Sequence, residues 1–170
     1  IFQNHPQTLN LVHFSSEELD PETLYRQLVE IRELAGPYCH GFQLNIAWPD
    51  PKLLIKFAAQ SKKTVIVMQV RTREFAQIDH RTKTLADRLK QYEHLTDYLL
   101  LDSSGGHGHP LIPTELAPYL RIFTQKKLAM GFGVAGGLSA ANMFLVEPLA
   151  KEFPDLSIDA EGCLRNEDDH

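Results

Sequence analysis

Short apolar runs alternating with longer amphipathic ones make this chain an α/β protein built on a parallel sheet. Three observations carry that reading. Six runs rich in β-branched and aromatic residues recur along the 170 residues. Several of them are almost continuously apolar, as strands covered on both faces are. Five helix-length stretches, some opened by capping signals, lie between them.

The first strand is expected over Thr8–Phe14, TLNLVHF, and the first helix over Pro21–Leu34, where Asp20 suits the N-cap and Pro21 the first helical position. FQLNIAW (Phe42–Trp48) gives the second strand, and Asp50 with Pro51 repeats the capping device to open a helix ending at Ser61. TVIVMQV (Thr64–Val70) is the third strand and Arg81–Tyr92 the helix after it. YLLLD (Tyr98–Asp102) leads into a helix over Pro113–Thr124, then LAMGFGV (Leu128–Val134) into one over Ala140–Phe153, and LSID (Leu156–Asp159) comes last. Such alternation implies right-handed βαβ units. An open doubly wound sheet and a (β/α)8 barrel both satisfy it. Six strands in 170 residues, against eight in about 250, favour the open sheet or an incomplete barrel.

Composition narrows the function classes. With 43% hydrophobic and 23% charged residues the chain suits one domain, residues 1–170, with its own core. The net charge is −5 and the Lys and Arg residues are scattered, so nucleic acid is not an expected partner. No apolar run approaches the roughly 20 residues that cross a bilayer, so no membrane partner is expected either. Cys39 and Cys163 form no CxxC pair, which implies neither a disulfide framework nor a zinc site and suits a cytoplasmic setting. Monomer and homodimer are both compatible with the sequence.

In either architecture chemistry sits beyond the C-terminal ends of the strands. SSGGHG (Ser103–Gly108) follows YLLLD, AGGLSAANM (Ala135–Met143) follows LAMGFGV, and AEGC (Ala160–Cys163) follows LSID. Glycine lets the backbone approach an anion, and a following helix presents unpaired N–H groups to it. Barrels commonly bind phosphate in the loops after their seventh and eighth strands. An anion is therefore expected between Gly136-Gly137 and Gly162-Cys163.

The succession LLLDSSGGHG, VAGGLSAANM, SIDAEG resembles the sixth, seventh and eighth strand ends of phosphoribosylanthranilate isomerase: an LLDS-type strand with a Gly-rich loop, an AGGL loop and a D-x-x-S-G loop. GFQLN (Gly41–Asn45) is similar to that family's fourth-strand QLHG, and TLNLVHF sits where its third strand would. The resemblance implies a (β/α)8 TIM-type barrel incomplete at its N-terminus, with these runs as strands three to eight, the first two strands before Ile1 and the last helix absent. It implies a place in tryptophan biosynthesis and an Amadori rearrangement of a phosphorylated aminoaldose to an aminoketose, needing no cofactor. Asp102 becomes the general acid that protonates the ring oxygen, a task suited to a partly buried carboxyl. Gly105, Gly106, His107, Gly136, Gly137, Gly162 and Cys163 become the phosphate- and substrate-binding set. The family's general base is a first-strand cysteine, and neither Cys39 nor Cys163 occupies that place. His107 replaces a small hydroxyl residue, Asn45 replaces the histidine of QLHG, and Glu161 stands near the serine of the S-G pair, where a carboxylate repels phosphate unless it pairs with a group such as Arg165.

Other readings compete. Asp102 in Asp-Ser-Ser-Gly could be a turn former. A non-catalytic phospho-ligand-binding barrel accommodates Glu161. A metal-dependent hydrolase would use Asp102, His107 and His109, though no other strand end offers an obvious third histidine and the expectation is that no metal is bound. Trp48 could stack on a planar substrate ring or pack under a loop. Arg71 and Arg73 could meet a carboxylate or phosphate, or simply face solvent.

Overall fold

The computed structural model describes residues 2–17, 20–61, 63–104 and 109–164. Six parallel strands run in chain order: β1 (Leu11–Ser15), β2 (Gly41–Asn45), β3 (Val65–Arg71), β4 (Tyr98–Asp102), β5 (Gly131–Ala135) and β6 (Ser157–Asp159). This sequential order separates the two candidate architectures. A doubly wound sheet reverses its strand order at a switch point. Here each strand pairs only with its chain neighbours, which is the arrangement of a barrel wall. The sheet is a curled half-barrel, and a closed eight-stranded barrel is not formed by the described residues.

Six α-helices cross over between the strands: α1 (Pro21–Ala35), α2 (Pro51–Gln60), α3 (Thr72–Ala76), α4 (Thr82–Leu89), α5 (Pro113–Gln125) and α6 (Glu147–Glu152). The capping devices form as expected. Asp20 accepts from the Thr23 N–H at 2.8 Å and Asp50 from the Lys52 N–H at 2.8 Å, each with proline in the first turn. Alternation along the strands separates two faces. Phe42, Leu44, Met68, Val70, Leu99, Leu101 and Val134 are buried in one apolar core with Leu28, Phe57, Leu85, Leu120 and Phe123 of the helices. Residues of the other parity, among them Gln43, Gln69, Leu100, Asp102 and Asp159, lie on the concave face.

Three expectations need correction. The strand expected over Leu128–Val134 begins only at Gly131, because α5 ends in a left-handed cap. Lys127 has φ 51° and the Leu128 N–H reaches back to the Phe123 carbonyl, so Leu128–Met130 serve the return to the sheet. The helix expected over Ala140–Phe153 is a 3-10 turn, Met143–Val146, followed by the short α6, in which Pro148 stands in the first turn where its missing N–H costs nothing. The second strand ends at Asn45 rather than Trp48, whose backbone turns left-handed at φ 49°. Helix α3 was not expected; Glu74 folds back to accept from the Arg71 N–H at 2.8 Å and closes its first turn.

Candidate active site

Asp102 ends β4, the strand that the sequence most clearly marks as buried, and is 5% exposed. Its two oxygens are both engaged. The Ser104 N–H and hydroxyl donate to Oδ1 at 2.9 and 2.6 Å, and Gln69 Nε2 donates to Oδ2 at 3.0 Å. The Asx turn to Ser104 is thus real, so the turn-forming role and a place in the strand-end site coexist in one residue.

The Gln69 contact opens a longer chain. Gln69 Oε1 accepts from Gln43 Nε2 at 3.3 Å, and Gln43 and Asp159, at the end of β6, line the same cavity. Strands β2, β3 and β4 therefore contribute one polar chain, Asp102–Gln69–Gln43, across the concave face. Burial pushes the Asp159 carboxyl above the ordinary aspartate value; the charges of Glu161 and Asp102 push the same way, while His13 and the Gln43 amide pull it down. Asn45, one concave position beyond Gln43, has its Oδ1 buried with no hydrogen-bond partner.

The curl brings the sheet's two edges within reach of each other. His13 Nδ1 of β1 lies 3.2 Å from Glu161 Oε1 in the turn after β6. Glu161, a repulsive neighbour for an anion in the sequence, thus faces a histidine; Arg165 lies outside the described residues. Below this clasp a cavity of about 250 Å³ is lined by all six strands, with Leu11, Gln43, Val67, Leu100, Gly133 and Asp159 on its wall.

The loops after β5 and β6 leave the sheet side by side, because Ala135 pairs with Asp159. Gly136 has φ 147° and Gly137 φ 47°, conformations open to glycine. A Cβ on Gly136 would stand 3.2 Å from the Leu111 Cα, whose neighbouring N–H donates to the Gly136 carbonyl at 3.0 Å. Asn142 pins the turn, donating from Nδ2 to the Gly137 carbonyl at 2.8 Å and accepting from the Ser139 N–H at 2.7 Å. The α-helix that follows begins only at Glu147, so the donors near these glycines belong to the loop rather than to a helix N-terminus. Gly162 and Cys163 lie in a 3-10 turn, Gly162–Leu164, with Cys163 exposed. Cys39 is buried just before β2, its Sγ 3.5 Å from the Gly41 carbonyl, at the opposite end of the strands from Asp102.

Gly105, Gly106 and His107 lie outside the described residues. His109 is exposed and borders a cleft of about 530 Å³ with Arg71, Arg73, Ser103 and Ser104. The arginines are not merely solvated. Glu74, 1% exposed, lies 3.1 Å from Arg73 Nε and 3.9 Å from Arg71 Nε, and Glu17 takes a second arm of Arg73 at 3.0 Å. Trp48 packs under its loop, with the Arg88 guanidinium 4.1 Å from its ring and Nε1 donating to Gln77 at 2.7 Å. Among the described residues, no group of three or more His, Cys, Asp or Glu side chains could hold a metal ion, and no helix is long and apolar enough to cross a membrane.

The fold and the strand-end polar chain define a parallel α/β half-barrel with a carboxylate-bearing mouth. The chain is similar to the crystal structure of phosphoribosyl anthranilate isomerase from Thermus thermophilus, with a TM-score of 0.56 at 16% identity, covering 96% of this chain and 68% of that one. At that identity the likeness is one of fold. No protein-family model and no curated protein matches the sequence.

Sequence reasoning placed Asp102 but missed Gln43, Gln69, Ser104, Asp159 and His13 as its company. The available signal was polar residues interrupting apolar strands: both glutamines stand at concave parity in otherwise buried runs.

Proposed function

We propose that the protein is an isomerase of the phosphoribosylanthranilate isomerase type, rearranging a phosphorylated aminoaldose to an aminoketose by general acid/base catalysis. The observation that carries this is Asp102, buried at a strand's C-terminal end within a polar chain on the concave face. A general acid must hold a proton and still have its hydrogen bonds satisfied. Ser104 Oγ allows this: a hydroxyl that donates to ionised Asp102 can rotate and accept from the protonated form. The Gln69 amide stays as donor to the other oxygen. The glycine turns after β5 and β6 would take the substrate's phosphate on backbone N–H groups, holding the sugar ring over the carboxyls. The isomerisation transfers protons within one substrate, so these side chains supply its acid/base chemistry.

The test of ligand class is an amide NMR titration with ribose 5-phosphate and with inorganic phosphate. Shifts centred on Gly136, Gly137, Gly162 and Cys163 are expected for both ligands, with Asn45 and Gln43 side-chain amides responding only to the sugar phosphate. Absence of any saturable shift at these loops would refute the phosphate site.

A further inference from the structure

We infer that the cavity between the α3–α4 turn and the first turns of α5 is a second ligand site, shaped for a small aromatic amine in its protonated form. The inference stands apart from the isomerase reading, because the described residues around this cavity include neither Asp102 nor the glycines after β5.

Its position follows from the strand ends. The cavity, of about 440 Å³, lies beyond β3 and β4 among the helices, and its volume suits a ligand of one or two rings. At its rim Thr72 Oγ1 donates to the Ser103 carbonyl at 3.3 Å, which ties the two strand ends together.

The floor is aromatic. Phe75 and Tyr119, 3% and 7% exposed, tilt against each other with ring centroids 5.0 Å apart. The exposed His80 ring lies nearly parallel to Phe75, at 6.3 Å and 9°. The backbone is strained to hold this arrangement: Asp79 and His80 are consecutive left-handed residues, at φ 51° and 53°, and neither is glycine. Two hydrogen bonds fix them, from the His80 N–H to the Phe75 carbonyl at 2.9 Å and from the Tyr119 hydroxyl to the His80 carbonyl at 2.9 Å. Strain over-determined by its surroundings in this way clusters at ligand clamps.

The polar groups beside the rings are acceptors. Pro118 lies inside α5 and has no N–H to give the Thr114 carbonyl one turn earlier, so that carbonyl lacks its helical donor. Both residues line the cavity, and Glu115 lies between them in sequence and on the same wall. Glu115 is close enough to the Tyr119 phenol that its charge, second to burial, pushes that group above the ordinary tyrosine value. It also offsets the partial positive charge of the α5 N-terminus, which by itself would favour an anion. Among the described residues no arginine or lysine lines the cavity to bind an anion instead. A carboxylate and a carbonyl short of its donor call for a cationic N–H group, and ring surfaces attract the same cation while stacking a flat ligand. An ammonium group carried on one aromatic ring meets both demands.

The experiment is an amide NMR titration of the full chain with benzylamine, benzoate and cyclohexylmethylamine. Benzylamine should give saturable shifts centred on Phe75, His80, Glu115 and Tyr119, with a Kd of about 1 mM for so small a ligand. Benzoate reverses the charge and cyclohexylmethylamine removes the aromatic face, so each should bind at least about fivefold more weakly. Glu115 is exposed, so Glu115→Gln should fold normally while weakening benzylamine roughly 10-fold. Pro118→Ala returns an N–H to the Thr114 carbonyl; it should leave the fold at least as stable and weaken benzylamine roughly threefold. No saturable benzylamine shift at these residues, equal binding of benzoate, or an affinity unchanged in either variant would overturn the inference. Shifts centred on Ser104, Gly136 or Gly137 would do the same, by placing the ligand at the strand-end mouth.

Discussion

Asp102→Asn is expected to lower turnover by roughly 10²-fold while the protein still folds, if the proposed isomerase reading holds. The amide keeps an oxygen in place to accept from the Ser104 N–H and hydroxyl. It puts an NH2 against Gln69 Nε2, however, so the Gln69 amide must turn over, at a cost of about 1 kcal/mol in stability. Lost instead is the proton that would be delivered to the ring oxygen. Steady-state kinetics and thermal unfolding on the same pair of proteins separate the two possible roles of this residue. A turn former would show the reverse pattern, a lowered melting temperature with near-normal turnover.

Gly41→Ala gives the largest stability loss. A Cβ at Gly41 would stand 1.9 Å from the Val65 carbonyl oxygen and 2.7 Å from its carbon, both backbone atoms of the paired strand. No side-chain rotation relieves that contact, so β2 and β3 must separate where the register Leu11–Gly41–Val65 begins. The expected cost is about 3 kcal/mol or more, at the upper end for overpacking. For a chain of this length that corresponds to a fall of roughly 6–12 °C in Tm. Circular dichroism melts measure it directly. A Tm within about 2 °C of wild type would show that the strands are not held at this spacing in solution.

The legibility of the molecule followed the range of the interactions concerned. Strand β4 was visible to the residue, because Tyr98–Asp102 is one apolar run ended by an acid, and the starts of α1 and α2 were visible because an Asp-Pro cap is settled within four residues. Sheet order was not visible in periodicity: alternating strands and helices fit a doubly wound sheet as well as a barrel wall, and only pairing in chain order separates them. The candidate site divides in the same way. Asp102 and its Ser104 turn are local. Gln43 and Gln69 meet across 26 residues, and His13 meets Glu161 across 148. Those contacts arise from strand register and sheet curvature, which no short motif encodes. For Trp48 the packed alternative is the one that forms, because a left-handed backbone sets its ring under the loop against Arg88.

The central claim is that this mouth moves protons on a phosphorylated aminoaldose rather than merely holding it. The direct measurement is 13C NMR of phosphoribosylanthranilate incubated with the wild-type protein. A new ketone carbon that grows with protein concentration, without change in substrate mass and without added metal, is the predicted result. Saturable binding of the phosphosugar with no ketone signal would contradict the claim and make the protein a phospho-ligand-binding half-barrel. Hydrolysed products that vanish with EDTA and return with zinc would contradict it in favour of a metal-dependent hydrolase.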